Sequence, residues 1–564
     1  MNNRFWAAFA VLLFVISCQP TTQKRAERGA IGDSAMVVSA HPLATGAGLV
    51  ILEKGGNAVD AAIATQFALA VVYPRAGNIG GGGFAVIRMA DGSTSALDFR
   101  EKAPLAATKT MYQDKNGDVD GSKSTLGHLG AGVPGSVAGM WQLYEKYGSL
   151  PWEELVQPAI ELAFEGFIIT QDEAEALNEK QEDFAKANRY TPWVIRKGGW
   201  SAKDYVNQPQ LAATLSFIRD SGRDGFYKGI VADQIVKEMQ AGNGLITHED
   251  LENYQAQWRT PLTSRYKGHT IITMPPPSSG GVAMLQLLQG AELLNIGQHG
   301  HNSAEATHLM AEIEKRVFAD RAKHLGDPDY YHVPTDYLLS EEYNKARFEG
   351  ITLDKITPSR EISAGKAPGY ESPETTHFSI VDKFGNAVSL TTTLNLNYGC
   401  KVWVKGAGFV LNNEMDDFSA KPGVPNFFGL IGAEANAIAP GKRMLSSMTP
   451  AIVEQDGNLR AVVGSPGGAT IITTVFQTIL NIIDYDMTMQ DAVNAKKVHH
   501  QWLPDQIKME TGAISEKAKK TLENQGYQFE EVEKIGRSDC ILVMPNGQLE
   551  GGADPRGDDF AKGF

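Results

Sequence analysis

Thr375-Thr376-His377-Phe378-Ser379-Ile380-Val381-Asp382, then Lys383-Phe384-Gly385, then Asn386-Ala387-Val388-Ser389-Leu390-Thr391-Thr392-Thr393 reads as two strands joined by a tight turn. A three-residue hairpin loop favours glycine at its last, left-handed position. That puts Asp382 opposite Asn386 and, counting back along the ladder, Thr375 opposite Thr393. Directly paired residues have Cβ atoms about 4.5–5.5 Å apart, within hydroxyl reach. A slip of one residue would send the two threonines to opposite faces, so the turn decides the inference. Threonine at the start of a chain can act as nucleophile with its own α-amine as base. The plainer explanation is that threonine is a good strand former, and hairpin geometry alone does not choose between the two.

Outward from the hairpin, composition changes sharply on its N-terminal side. Pro358 to Glu374 is polar with Pro and Gly and reads as an exposed connector. Upstream, Val37 to Ala40 is a short strand, and helices are expected over Pro42 to Lys54 and Ala58 to Val72, parted by Gly55-Gly56. Gly80 to Gly83 is a close-packed turn before the buried strand Phe84 to Ile87. It lacks the Lys and Ser/Thr of a phosphate loop. Leu97 to Arg100 alternates like a half-buried strand. Gly132 to Arg219 and Ser303 to His324 are mostly helical, and Met274 to Gly281 is a rigid loop. Downstream come loops to Pro440, a strand from Arg460 to Gly464 and a helix from Ala469 to Ile483. The mixture points to a layered fold of helices and sheets. No internal repeat is present.

The chain has 564 residues, 42% hydrophobic, enough for a large core. Its formal charge of −14 argues against nucleic acid as a partner, which needs clustered Lys and Arg. Trp6 to Ile16 is an apolar run too short to span a membrane comfortably. It ends in Val15-Ile16-Ser17-Cys18, which resembles a bacterial lipoprotein signal. The expectation is therefore a signal over 1–17, lipidation at Cys18, and a tether over 18–29. Gln19 after the cysteine implies the periplasmic face of the outer membrane. An ordinary secretory signal is the alternative. Cys400 and Cys540 carry no activated-thiolate pattern and remain open as a pair. His499-His500, read as adjacent on a helix, and His299 and His301 lack ligand spacing, so no metal or cofactor is expected.

Family resemblance adds to this. TTHFSIVDKFGNAVSLTTTLN (Thr375 to Asn395) resembles the start of the small subunit of γ-glutamyltransferases. In order along the chain, so do GGNAVDAA (Gly55 to Ala62), LDFREKAP (Leu97 to Pro104), LNNEMDDFSAKPG (Leu411 to Gly423), RMLSSMTP (Arg443 to Pro450), GSPGG (Gly464 to Gly468) and HHQWLPD (His499 to Asp505). The resemblance implies an α+β fold, a four-layer αββα sandwich of the N-terminal-nucleophile hydrolase type. It implies self-cleavage between Glu374 and Thr375 into a large subunit (30–374) and a small catalytic subunit (375–564) that stay together as a heterodimer. Thr375 would then take a γ-glutamyl group from glutathione or another γ-glutamyl compound and pass it to water or to an amino acid or dipeptide amine.

By the same resemblance, Thr393 positions the nucleophile and Gly467 and Gly468 form the oxyanion hole, a role that N–H groups at a helix start suit. Arg100, Ser446 and Ser447 would hold the substrate α-carboxylate. Asp417, Glu414 and Asn395 would accept from its α-ammonium. Pro422 to Gly432 resembles a lid loop, with Phe428 where some members carry a tyrosine. The rival readings are a related acylase that removes glutaryl or β-lactam side chains, and an inactive lipid-tethered binding protein.

Overall fold

The hairpin is the centre of the first of two sheets. The computed structural model describes residues 26, 28–363, 375–424, 426 and 432–564. Cys18, Glu374 and Phe428 therefore lie outside the described residues.

Thr376–Val381 pairs antiparallel with Ala387–Thr393, with Thr376 opposite Thr392 and Val381 opposite Ala387. The Asp382 N–H donates to the Asn386 carbonyl, and Gly385 has φ 90°. The turn is the expected one, so the ladder arrives at Thr375 facing Thr393.

Two seven-stranded sheets form the body, and every pairing within them is antiparallel. The first runs Phe560–Gly563, Met36–Ser39, Thr376–Val381, Ala387–Thr393, Gly82–Arg88, Thr94–Asp98, Gln257–Arg259. The second runs Ala30–Gly32, Leu549–Gly552, Cys540–Val543, Asn458–Val463, Ala451–Gln455, His269–Thr273, Leu262–Tyr266. Helices Pro42–Glu53, Ala58–Val72, Ser136–Tyr147 and Trp152–Glu165 share a core with one face of the first sheet. Helices Ser279–Leu293, Ala304–His324 and Thr470–Ile483 share a core with the second. The result is the αββα sandwich.

Because the sheets pack face to face under helices, the central strands Thr376–Val381, Ala387–Thr393 and Gly82–Arg88 are buried throughout. Ala96 to Glu101 are all buried, so the half-buried expectation for Leu97 to Arg100 is corrected, and the strand itself ends at Asp98. Inward polar side chains find partners between the sheets. Ser389 Oγ donates across to the Val463 carbonyl and Ser379 Oγ to that of Asp539, while the His377 ring bonds Thr391 and Ser379 of its own sheet. A Cβ on Gly464 would lie 2.1 Å from the His377 ring, so glycine sets the close approach of the two sheets there.

Three further expectations change. Ser279 to Gly281 form the first turn of a helix, not the end of a loop, with Ser278 capping it through Gly280 N. His499 closes a short strand, Val498–His499. Its ring bonds Thr473 and Gln501, while the His500 ring lies 3.3 Å from Asp505. The connector begins docked rather than exposed. Ser359 is buried, with its N–H and hydroxyl both on Asp505 and its carbonyl accepting from the Trp502 indole. Cys400 and Cys540 are both buried free thiols, and burial pushes each up to about 12.

Candidate active site

Thr375 lies between two cavities. The first is lined by Thr375, Thr393, Arg100, Asn395, Glu414, Asp417, Ser446, Ser447, Met448, Gly468, Ala469 and Ile471. Apart from Gly467, every candidate site residue within the described chain meets there. Gly467 lines the second cavity, which also reaches Thr375.

Each wall has a local cause. Thr393 pairs with Gly82, and the Asn78 side chain donates to the Thr393 carbonyl. The glycine run thus backs the site without lining either cavity. The Thr393 hydroxyl accepts from Asn395 N at 2.7 Å, and Asn395 takes a left-handed turn, φ 75°. Its side-chain amide donates to the Asn413 carbonyl, leaving the amide oxygen as the atom able to accept from an ammonium. After the Asn458–Val463 strand, Gly467 and Gly468 take φ 137° and 58°, conformations L side chains rarely adopt. No side chain caps the helix that follows, and Gly468, Ala469 and Ile471 from its start line the cavity. Such a terminus favours developing negative charge.

The opposite wall is a buried charge cluster. Arg100 Nη1 lies 2.6 Å from Glu414 and 3.5 Å from Glu101, and its Nη2 lies 2.5 Å from Asp417. Burial disfavours the Arg100 charge, but the three acids outweigh it and hold the guanidinium charged. Burial pushes all three carboxyls up, against the pull of Arg100, and Glu101 reaches about 8. Arg100 thus faces three acids whose charge burial disfavours, with Arg321 also acting on Asp417.

Sequence reasoning missed Arg321. It comes from helix Ala304–His324, is buried, and donates to Ser447 Oγ at 3.0 Å and to Ser279 Oγ at 2.9 Å. Ser279 Oγ and N both donate to the Ser446 carbonyl, so the Pro-rich segment and Arg321 together hold the Ser446-Ser447 pair. Nothing in a helix rich in Lys, Arg and Glu marks this arginine. Asn78 was missed too, its only signal being its place beside the glycine run.

The family model for Gamma-glutamyltranspeptidase matches residues 44–564. The chain belongs to the γ-glutamyltranspeptidase family. Among its relatives, the glutathione hydrolase proenzyme of Escherichia coli is 47% identical over 94% of this chain and 92% of its own length. That of Pseudomonas aeruginosa is 48% identical, covering 90% of both chains. Among solved structures, the cephalosporin acylase from Bacillus halodurans superposes with a TM-score of 0.83 at 26% identity, covering 98% of this chain and 99% of that one. The γ-glutamyltranspeptidase assignment and the double-sheet sandwich therefore agree.

Proposed function

We propose that this chain is a self-processing γ-glutamyltransferase and glutathione hydrolase. The observation that carries the reading is the single cavity that gathers Thr375, Thr393, Arg100, Asp417, Ser446 and Ser447. Cleavage before Thr375 frees its α-amine. The hydroxyl then attacks a γ-glutamyl carbonyl, its proton passing to that amine. The oxyanion develops beside Gly467 and Gly468. A substrate α-carboxylate takes Arg100 with Ser446 and Ser447, and the α-ammonium takes Asp417, Glu414 and the Asn395 oxygen. This exchange replaces the internal ion pair with two external ones. Water or an amine then resolves the ester.

The two chains stay joined because their strands interleave. In the first sheet Met36–Ser39 sits between Phe560–Gly563 and Thr376–Val381; in the second, the Ala451–Gln455 strand pairs with His269–Thr273. For the cell, the proposal is export with a lipid tether at Cys18, on the periplasmic side of the outer membrane. Among the described residues no helix is long and apolar enough to cross a membrane.

The acylase reading has support in the likeness to the cephalosporin acylase. A glutaryl group carries no ammonium, however, and would leave Asp417 and Glu414 to share Arg100 with the substrate, Arg321 acting on Asp417 only from behind Ser447. The two readings part on side-by-side turnover of γ-glutamyl-p-nitroanilide and glutaryl-p-nitroanilide by the matured protein. Strong preference for the first supports the transferase, and preference for the second overturns it.

A further inference from the structure

The second cavity against Thr375 has a different chemistry from the first. It is lined by Thr375, Pro466, Gly467 and Gly536 together with Tyr73, Arg75, Lys534 and Arg537. Three cationic side chains therefore converge on the side of the nucleophile away from the Arg100 cluster. We propose that this cavity seats the leaving group and the acceptor, and that it selects those bearing a free carboxylate, such as the C-terminal carboxylate of a peptide. The proposal rests on Thr375 being the nucleophile and on the Arg100 cavity holding the γ-glutamyl half.

Attack on an amide carbonyl splits the substrate at the reacting carbon. The Thr375 Oγ–C bond forms as the C–N bond breaks, and the hydroxyl proton passes through the α-amine to the leaving nitrogen. The acyl half occupies the first cavity. The amine half needs space that reaches Thr375 and the oxyanion glycines from another direction, and the second cavity, with Gly467 in its wall, supplies it. An acceptor amine enters the same place, because transfer is this step reversed.

The charges decide what that half should carry. Arg537 is spent on Asp559, the Tyr73 hydroxyl at 2.6 Å and the Ala40 carbonyl at 3.1 Å, so it contributes field rather than a bond. Arg75 donates through Nη2 to Asp172, but its buried Nε has no hydrogen-bond acceptor, the nearest carboxylate being Glu173 at 3.8 Å. Lys534 is exposed at the rim. Among its described lining residues there is no carboxylate. Behind the lining, despite burial, Asp172 is held low by Arg75 and Asp558 acts on Glu173, while burial pushes Glu173, Asp539 and Asp559 up, Glu173 to about 7. His41, lowered to about 4 by burial and then by Arg537 and Arg75, adds no opposing charge. The cavity wall is therefore cationic. An anionic peptide terminus fits it, and a neutral anilide gains nothing from it.

The test compares glutathione with its C-terminal glycinamide, using the matured enzyme and γ-glutamyl-p-nitroanilide as a control. The expected kcat/KM for the acid exceeds that for the amide by about tenfold, the worth of one charge-assisted contact. Arg75→Gln and Lys534→Ala should each narrow that ratio. Lys534 is exposed, so its variant keeps the test available if Arg75→Gln does not fold. Equal kcat/KM for acid and amide, in an enzyme that turns over the anilide, would overturn the proposal and leave the reading of Thr375 standing. No turnover of the anilide at all would sink that reading, and the proposal with it.

Discussion

Arg100 and Asp417 form an ion pair, Nη2 to Oδ2 at 2.5 Å, in the lining of the cavity that also holds Thr375. In the function proposed above, the pair would link the two substrate-gripping roles. A carboxylate arriving at Arg100 would release Asp417, and an ammonium arriving at Asp417 would release Arg100. Recognition of an α-amino acid head would then be a matched exchange, and a ligand with one charge would leave a buried partner behind.

Asp417→Asn keeps the size and removes the charge. Leaving buried charge uncompensated costs about 3–5 kcal/mol. The expected result is a fall of about a hundredfold or more in kcat/KM for γ-glutamyl-p-nitroanilide, with a much smaller change for the glutaryl analogue. Equal losses on both substrates would mean that Asp417 does not read the ammonium.

Thr393→Val removes a hydroxyl that accepts from Asn395 N, on a residue lining the same cavity as Thr375 and one step beyond the Thr376–Thr392 pair. Misplacing a reacting group by about 1 Å can cost about a hundredfold in rate. The expected signature is a kcat loss of that order with KM little changed. A shift confined to KM would assign Thr393 to substrate binding instead.

That pairing was legible because a hairpin turn fixes register over its whole length. Gly385 alone set Thr375 against Thr393. The charged and hydroxyl residues of the first cavity were legible only through the resemblance of short motifs on either side of the hairpin to γ-glutamyltransferases. Arg321 and Arg75 were not, because each reaches the site from a segment of ordinary composition, and Asn78 was not, because a glycine run signals a tight turn rather than the side-chain contacts made there. Likewise Ser379, Ser389 and His377 look like outward polar residues of an alternating strand. The two serines point inward because a second sheet supplies carbonyls for them, and His377 because Thr391 and Ser379 of its own sheet supply hydroxyls. His499 was misplaced for a related reason: two residues of strand pairing carry too little period to tell from a helix.

Gly464→Ala should damage folding rather than chemistry. The added Cβ would meet the His377 ring between the sheets, where neither neighbour is at the end of a flexible chain. Overpacking of this kind costs about 1–3 kcal/mol. Lower Tm and slower conversion of precursor are expected together. An unchanged Tm would show that the sheets can part at no cost.

Glu314 offers a stability test with a definite sign. It is fully buried, burial holds its carboxyl well above the ordinary range, and the His500 N–H is the contact opposing that shift. The native state keeps the proton where the unfolded chain has lost it. The stability this group contributes is therefore complete below about pH 4.5 and declines as pH rises toward the folded value. Glu314→Gln keeps the shape and removes the titration. The difference in Tm, variant minus wild type, should be more positive at pH 8 than at pH 5. A difference independent of pH would contradict the buried neutral carboxyl.

The most direct measurement is intact mass under denaturing conditions, on the purified wild-type protein and on Thr375→Ala. Self-cleavage by Thr375 predicts two chains for the wild type, the smaller one being residues 375–564 with threonine at its N-terminus, and one uncut chain for the variant. A wild type that stays whole, or a variant that still cuts at the same bond, would contradict it.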